Sequence, residues 1–91
     1  MTHYKQLQAI KKKLLSEEDS QKRKIKEKTL FYLMNPRNYE RGNLNSVISI
    51  PKHDVDADYL GEVLKQLGYP NPKYEEDYDG YYECTCYKIT L

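Results

Sequence analysis

Reactive side-chain types are densest near the end of the chain, in KYEEDYDGYYECTCYKITL, residues 73–91. Cys84 and Cys86 are separated by one residue, so on a strand both thiols project from the same face. Neighbours on one strand are poorly placed to form a disulfide with each other. A tetrahedral zinc site needs four ligands, and the only histidines are His3 and His53. There is no Cys-x-x-Cys spacing and no second cysteine pair, so neither a metal nor thioredoxin-like redox chemistry is expected. Two thiols on a strand instead read as small buried apolar groups.

The remaining candidates for catalysis are equally thin. His53 and Asp54 are adjacent, but Asp54 is better placed as a helix cap than as the orienting partner of a base. No glycine-rich phosphate loop or nucleophile elbow is present, and no helix carries a paired metal-binding motif. Glu75, Glu76, Asp77 and Asp79 lack the alternating layout and terminal glutamate of a calcium loop. The sequence therefore predicts a non-enzyme without cofactor, and an exposed acidic arm.

Two surfaces are left. Six of the ten tyrosines fall between Tyr69 and Tyr87 among acids. Tyrosine is stiff, amphipathic and enriched in interface hot spots. A hairpin with one solvated face cannot bury them all, so a protein-binding surface is predicted from Tyr74, Glu75, Glu76, Asp77, Tyr78, Asp79, Tyr81, Tyr82 and Glu83. Such a surface suits a basic groove, including one that normally holds nucleic acid. The second surface is basic, comprising Lys11, Lys12, Lys13, Lys22, Arg23, Lys24, Lys26 and Lys28. These can meet phosphates, or simply solvate a helix face among interleaved acids. Residues 1–45 sum to +6 and residues 46–91 to −5, within a net charge of +1. The halves either face apart or neutralise each other.

The elements that would position these residues follow from periodicity. Tyr4, Leu7, Ile10 and Leu14 recur at helical spacing, predicting an amphipathic helix of about three turns. Ser16 with Asp19 fits a capping box for a second helix running to about residue 34, where Asn35–Pro36 stops it. Glu18–Lys22, Asp19–Arg23 and Arg23–Glu27 are its candidate i,i+4 pairs. These could also be one long bent helix. Residues 35–45 read as a polar turn region. SVISIP reads as a buried strand closed by Pro51. Asp54 or Asp56 then caps a helix with Leu60, Val63, Leu64 and Leu67 on one stripe and Gly68 as its left-handed terminus. Gly61 inside it marks close packing against the sheet. Asp79–Gly80 is a strong hairpin signal between arms at 74–78 and 81–90.

Together these predict one α+β domain over 1–91. A basic helical segment (1–34) precedes a strand–helix–hairpin unit (45–91), and the helices pack on one face of a small, mainly antiparallel sheet. A winged helix is excluded, because only one helix fits between the strand and the hairpin. So small a domain also makes a homo-oligomer an option. The longest apolar run, TLFYLM, is far short of the roughly 20 residues of a membrane span, and the first residues have no apolar core of a signal peptide. No membrane partner is expected, and a cytoplasmic location is.

Ile48, Ile50, Leu67, Gly68, Tyr69, Gly80, Tyr82 and Ile89, with the run DGYYECTCYKI, resemble small proteins of unassigned role from bacteriophages and mobile elements. The resemblance covers about half the chain and carries structural residues only. The resemblance implies a phage-type protein in the host cytoplasm; with the acidic, tyrosine-rich hairpin as contact surface, the leading expectation is that it binds and modulates or inhibits a host protein. Two alternatives stand beside it: a small nucleic-acid-binding regulator using the lysine-rich helices, and a structural oligomer or assembly component.

Overall fold

Thr2 opens the first helix: its hydroxyl accepts the Lys5 N–H, and α1 runs His3–Leu14. In the computed structural model, which describes residues 2–91, α1 and α2 (Ser20–Leu33) are separate helices. Leu7 and Leu14 are buried and Ile10 packs against the core, whereas Tyr4 lies at the rim against Tyr39. The cap of α2 differs from expectation. Asp19, not Ser16, is the N-cap, its Oδ1 accepting the N–H groups of Gln21 and Lys22 at 3.0 and 3.1 Å. A carboxylate also complements the positive helix end, while the Ser16 hydroxyl turns back to donate to the Lys13 carbonyl. Of the three expected pairs along α2 only Arg23–Glu27 forms, with Lys26–Glu17 added.

The region expected to be plain turn carries structure. A 3-10 turn, Pro36–Asn38, leads into a two-stranded hairpin, β1 (Tyr39–Glu40) and β2 (Asn43–Leu44). Its two turn residues, Arg41 and Gly42, both have positive φ, 54° and 83°. That is the left-handed pair a tight two-residue hairpin demands. Arginine at the first position hides the signal, because asparagine or aspartate is usual there.

Strand β3 (Val47–Pro51) leads to α3 (Ala57–Gln66), capped by Asp56 through the Tyr59 N–H at 3.0 Å. Asp54, the other candidate cap, pairs instead with Lys28. Leu60, Val63, Leu64 and Leu67 are all buried. Gly68 ends the helix at φ 102°. Its N–H reaches the Lys65 carbonyl and that of Tyr69 the Leu64 carbonyl, the paired bonds of a Schellman terminus. Gly61 lies under the Tyr74 hydroxyl, but a Cβ there would stand 3.8 Å away, an ordinary contact. Its packing is looser than the sequence suggests.

Strands β4 (Lys73–Asp79) and β5 (Cys84–Thr90) complete an antiparallel sheet of order β3-β5-β4. Ile48 opposes Ile89 and Ile50 opposes Tyr87. Those side chains share the face covered by the helices, where Leu7, Leu30, Leu33, Leu60 and Leu64 meet them in one cluster. The fold is therefore α+β, with three helices against a three-stranded sheet and a small second sheet beside it. Among the described residues, no helix is long and apolar enough to cross a membrane.

The last hairpin closes differently from its Asp-Gly signal. Residues 80–83 form a four-residue loop, Gly80 lacks positive φ, and Glu83 takes the left-handed position at φ 56°. The cause is Asp79. Its carboxylate accepts the Tyr81 N–H at 2.8 Å and its carbonyl the Glu83 N–H at 2.8 Å. This local side-chain turn competes with the two-residue one. The second arm consequently starts at Cys84 rather than Tyr81.

The two glycines should then behave oppositely. Gly42→Ala meets both the positive φ and the Thr2 side chain, 3.2 Å from the added Cβ. It should cost about 1–2 kcal/mol. Gly80→Ala meets nothing within 4 Å and should be neutral, or stabilising by up to about 1 kcal/mol through the unfolded chain. Urea midpoints of the two variants check this.

Candidate protein-binding surface

The predicted acidic surface divides into a buried anchor and an exposed strip. Asp79 belongs to the anchor: its side chain is 4% exposed. Its Oδ2 accepts from Ser49 Oγ at 2.7 Å and Lys88 Nζ at 2.6 Å, and Lys88 also reaches Ser49 Oγ at 3.2 Å. Arg37 lies 3.6 Å from Oδ1. The Lys88 ammonium and the Ser49 hydroxyl hold the Asp79 carboxyl well below the usual carboxylate range, against the opposing effect of burial. Tyr82 is anchored too. Asn35 Nδ2 donates to its hydroxyl at 3.1 Å, and Tyr32 and Tyr81 meet its ring edge-on. The Arg37 guanidinium lies 4.1 Å from the Tyr81 ring centre, occupying one face of that ring. The hairpin tip is thus folded back onto the end of α2 and the 3-10 turn.

The exposed strip is the body of β4. Lys73 through Tyr78 are all exposed, as are Tyr81 and Glu83 in the loop. Tyr74, Tyr78 and Tyr81 are 40%, 64% and 62% exposed. Glu76 pairs with Lys52 at 2.5 Å. Glu75 and Asp77 have no cation within 4.0 Å among the described residues; Lys88, directly across from Glu75, is turned to Asp79. Asp79 and Tyr82 are therefore scaffold, and Glu75, Asp77, Tyr78 and Tyr81 are surface.

Ser49 and Lys88 are site residues that the sequence reading missed. Ser49 lies in an apolar run and Lys88 in a strand of tyrosine and threonine, and only the sheet register brings both to Asp79. A serine beside a lysine can act as a nucleophile and its base, but that needs a neutral amine. Here the Lys88 side chain is committed to the Asp79 carboxylate, 2.6 Å away. The group is a structural ion pair with a hydroxyl bridge.

Cys86 shares this second face of the sheet, away from the main core, and is fully buried; Cys84 is half-buried. Burial, with the Cys84 neighbour, pushes the Cys86 thiol up to about 11, so it stays protonated at neutral pH. His3 is used elsewhere: its Nδ1 accepts the Leu44 N–H at 3.0 Å and its Nε2 lies 3.4 Å from the Tyr69 hydroxyl. His53 lies exposed beside Lys24, Lys28 and Asp54. Among the described residues, no three His, Cys, Asp or Glu side chains gather as for a metal ion.

The basic residues occupy the helical pair. Lys11, Lys12, Lys13, Lys22 and Lys24 are exposed with no carboxylate within 4.0 Å among the described residues, while Arg23, Lys26 and Lys28 are paired with Glu27, Glu17 and Asp54. Among the described residues no ion pair joins this group to Glu75, Glu76 or Asp77, so these two sets of charges do not neutralise each other by contact. Lys11, Lys24, Glu27 and Lys28 line a groove with Phe31, itself 67% exposed. Comparison with protein families, with curated proteins and with solved structures gives no match for this chain.

The anchor predicts an asymmetry. Lys88→Met leaves a buried carboxylate with only the half-exposed Arg37 as a cation and should cost about 3 kcal/mol. Asp79→Asn keeps one oxygen for the Tyr81 N–H, turns its amide N–H to the Ser49 hydroxyl oxygen, and leaves an ammonium able to reach water, so about half that is expected. Because the Asp79 pKa is depressed on folding, its stabilisation is full above the ordinary carboxylate value near 4 and is lost as pH falls below it. Urea midpoints from pH 6 to pH 2 should accordingly fall less steeply in Asp79→Asn than in the parent.

Proposed function

We propose that this chain is a non-enzymatic protein-binding module whose contact surface is the outer strip of the last hairpin, Glu75, Asp77 and Tyr78, with Glu76 and Tyr81 beside it. The observation carrying this reading is the pair of exposed, uncompensated carboxylates next to an exposed tyrosine on a hairpin locked from behind by Asp79. A strip held rigid loses little side-chain and backbone freedom on binding. Its charge selects a basic partner surface and raises the encounter rate with it. With the resemblance to phage and mobile-element proteins, the inferred role is modulation or inhibition of a host protein in the host cytoplasm, with the acidic strip imitating nucleic-acid charge.

The test is capture from bacterial lysate, with and without nuclease, by the parent and by Glu75→Lys/Asp77→Lys. The parent should retain a nuclease-resistant protein partner and the variant should lose it, with unchanged circular dichroism. Equal capture by both proteins counts against the reading. Asp79 is left untouched, since reversing its charge would unfold the tip.

A second reading has its own observation: Lys11, Lys24 and Lys28 gathered around exposed Phe31. The ammonium groups of Lys11 and Lys24, without a carboxylate within 4.0 Å among the described residues, and that of Lys28, shared with Asp54, beside an aromatic ring suit a single-stranded nucleic acid, with phosphates on the lysines and a base on the ring. On this reading a gel shift at low salt weakens with added salt and disappears in Lys11→Glu/Lys24→Glu. No shift at low salt removes it.

A further inference from the structure

The two edges of the main sheet are treated unlike each other. At the β3 edge, the Asn38 side chain accepts the Ser49 N–H at 3.1 Å and donates to the Ser49 carbonyl at 3.3 Å. It pairs that edge much as a neighbouring strand would. At the other edge β4 is open over Lys73–Asp79, with continuous pairing to β5 on its inner side and neither bulge nor proline within it. Long flat edges of this kind are normally blunted.

The register shows which backbone groups are free. The Thr85 carbonyl accepts the Lys52 N–H, so Thr85 turns its backbone toward β3. Its partner on β4, Tyr78, therefore turns its own backbone outward, and by alternation so do Glu76 and Tyr74. The Tyr78 N–H is already taken by the Asp77 carboxylate at 2.9 Å. The N–H groups of Tyr74 and Glu76, with the three carbonyls, remain for a partner. Side chains alternate as well: Tyr74, Glu76 and Tyr78 share the helix-side face, and Glu75 and Asp77 the other.

From this we infer that β4 accepts an added antiparallel strand from a basic partner protein, and that this strand alternates cationic and apolar residues. The inference rests on the protein-binding reading above and specifies its mode. The incoming residues opposite Glu75 and Asp77 are arginine or lysine. Those opposite Tyr74 and Tyr78 are apolar and lie on the aromatic face. A second copy of β4 is a poor occupant: in antiparallel pairing about Glu76 it sets Glu75 against Asp77 and Glu76 against itself, and like charges directly opposite repel. The carboxylates thus block self-pairing while admitting a cationic strand.

The probe is a synthetic peptide of alternating valine and arginine, with one version N-methylated at its valines and another at its arginines. In the predicted register the valine N–H groups bond to β4 and the arginine N–H groups point away. The unmodified and arginine-methylated peptides should bind alike, and valine methylation should weaken binding at least about tenfold, as expected for one or two lost hydrogen bonds. Amide exchange at Tyr74 and Glu76 should slow on binding. If valine methylation changes nothing and those amides stay unprotected, the acidic strip binds through side chains alone. The strand-addition inference then falls while the protein-binding reading stands. Failure of the unmodified peptide to bind overturns the inference by itself, because the lysate capture tests the broader reading separately. Protection of Tyr74 and Glu76 that grows with protein concentration without peptide also overturns it, in favour of a second copy.

Discussion

One buried carboxylate holds the far end of this fold together. Asp79 sets the turn through the Tyr81 and Glu83 N–H groups, ties β4 across the sheet to Ser49 and Lys88, and draws Arg37 over the loop tyrosines. A lone buried charge is costly and here is offset by two cations and two hydroxyl or amide donors. Because Lys88 is committed to Asp79, it does not answer Glu75 directly opposite it. The uncompensated charge of the outer strip thus follows from the way the tip is anchored.

A second constraint acts at the opposite side of the sheet. Asn38 ends the proline-led 3-10 turn and spends both amide donors, on the carbonyls of Tyr32 and Ser49, and its oxygen on the Ser49 N–H. One side chain therefore joins the end of α2 to the edge of β3 and closes that edge. Tyr39, its neighbour, is less well served. Its buried hydroxyl has no partner among the described residues, and burial pushes its phenol strongly upward. The satisfied amide lies where backbone groups would otherwise be stranded, whereas the orphan phenol strands only itself.

Much of the architecture was legible because it rests on periodicity and punctuation. The α3 stripe, its Asp56 cap and its Gly68 terminus are local patterns, and local patterns survive into the fold. What failed were places where a side chain competes with the backbone. Asp79–Gly80 reads as a two-residue turn until the Asp79 carboxylate takes the Tyr81 N–H. Arg41–Gly42 makes such a turn without the usual first residue. Ser16 and Asp19 both read as parts of one cap, and the charged acceptor won. The candidate surface was legible in composition but not in partition. The Gly80 that follows Asp79 marks a turn but not a buried anchor; what separates Asp79 from Asp77, two positions apart on the same side of β4, is Lys88 across the sheet and Ser49, thirty residues away.

The tyrosines show how far that partition narrows the surface. Tyr87 and Tyr69 pack on the core and Tyr82 is held by Asn35 and Tyr32. Tyr81 has one face covered by Arg37, and Tyr74 stands edge-on to Tyr87 at 5.8 Å. Tyr78 alone of this group has no ring or guanidinium against it among the described residues. Its neighbours along the strand are Asp77 and the buried Asp79. A contact centred on Tyr78 would bury aromatic area beside an unpaired carboxylate and leave the anchor undisturbed. A partner that offers a cation next to an apolar residue satisfies both at once, and that combination recurs at every second position of an extended basic strand.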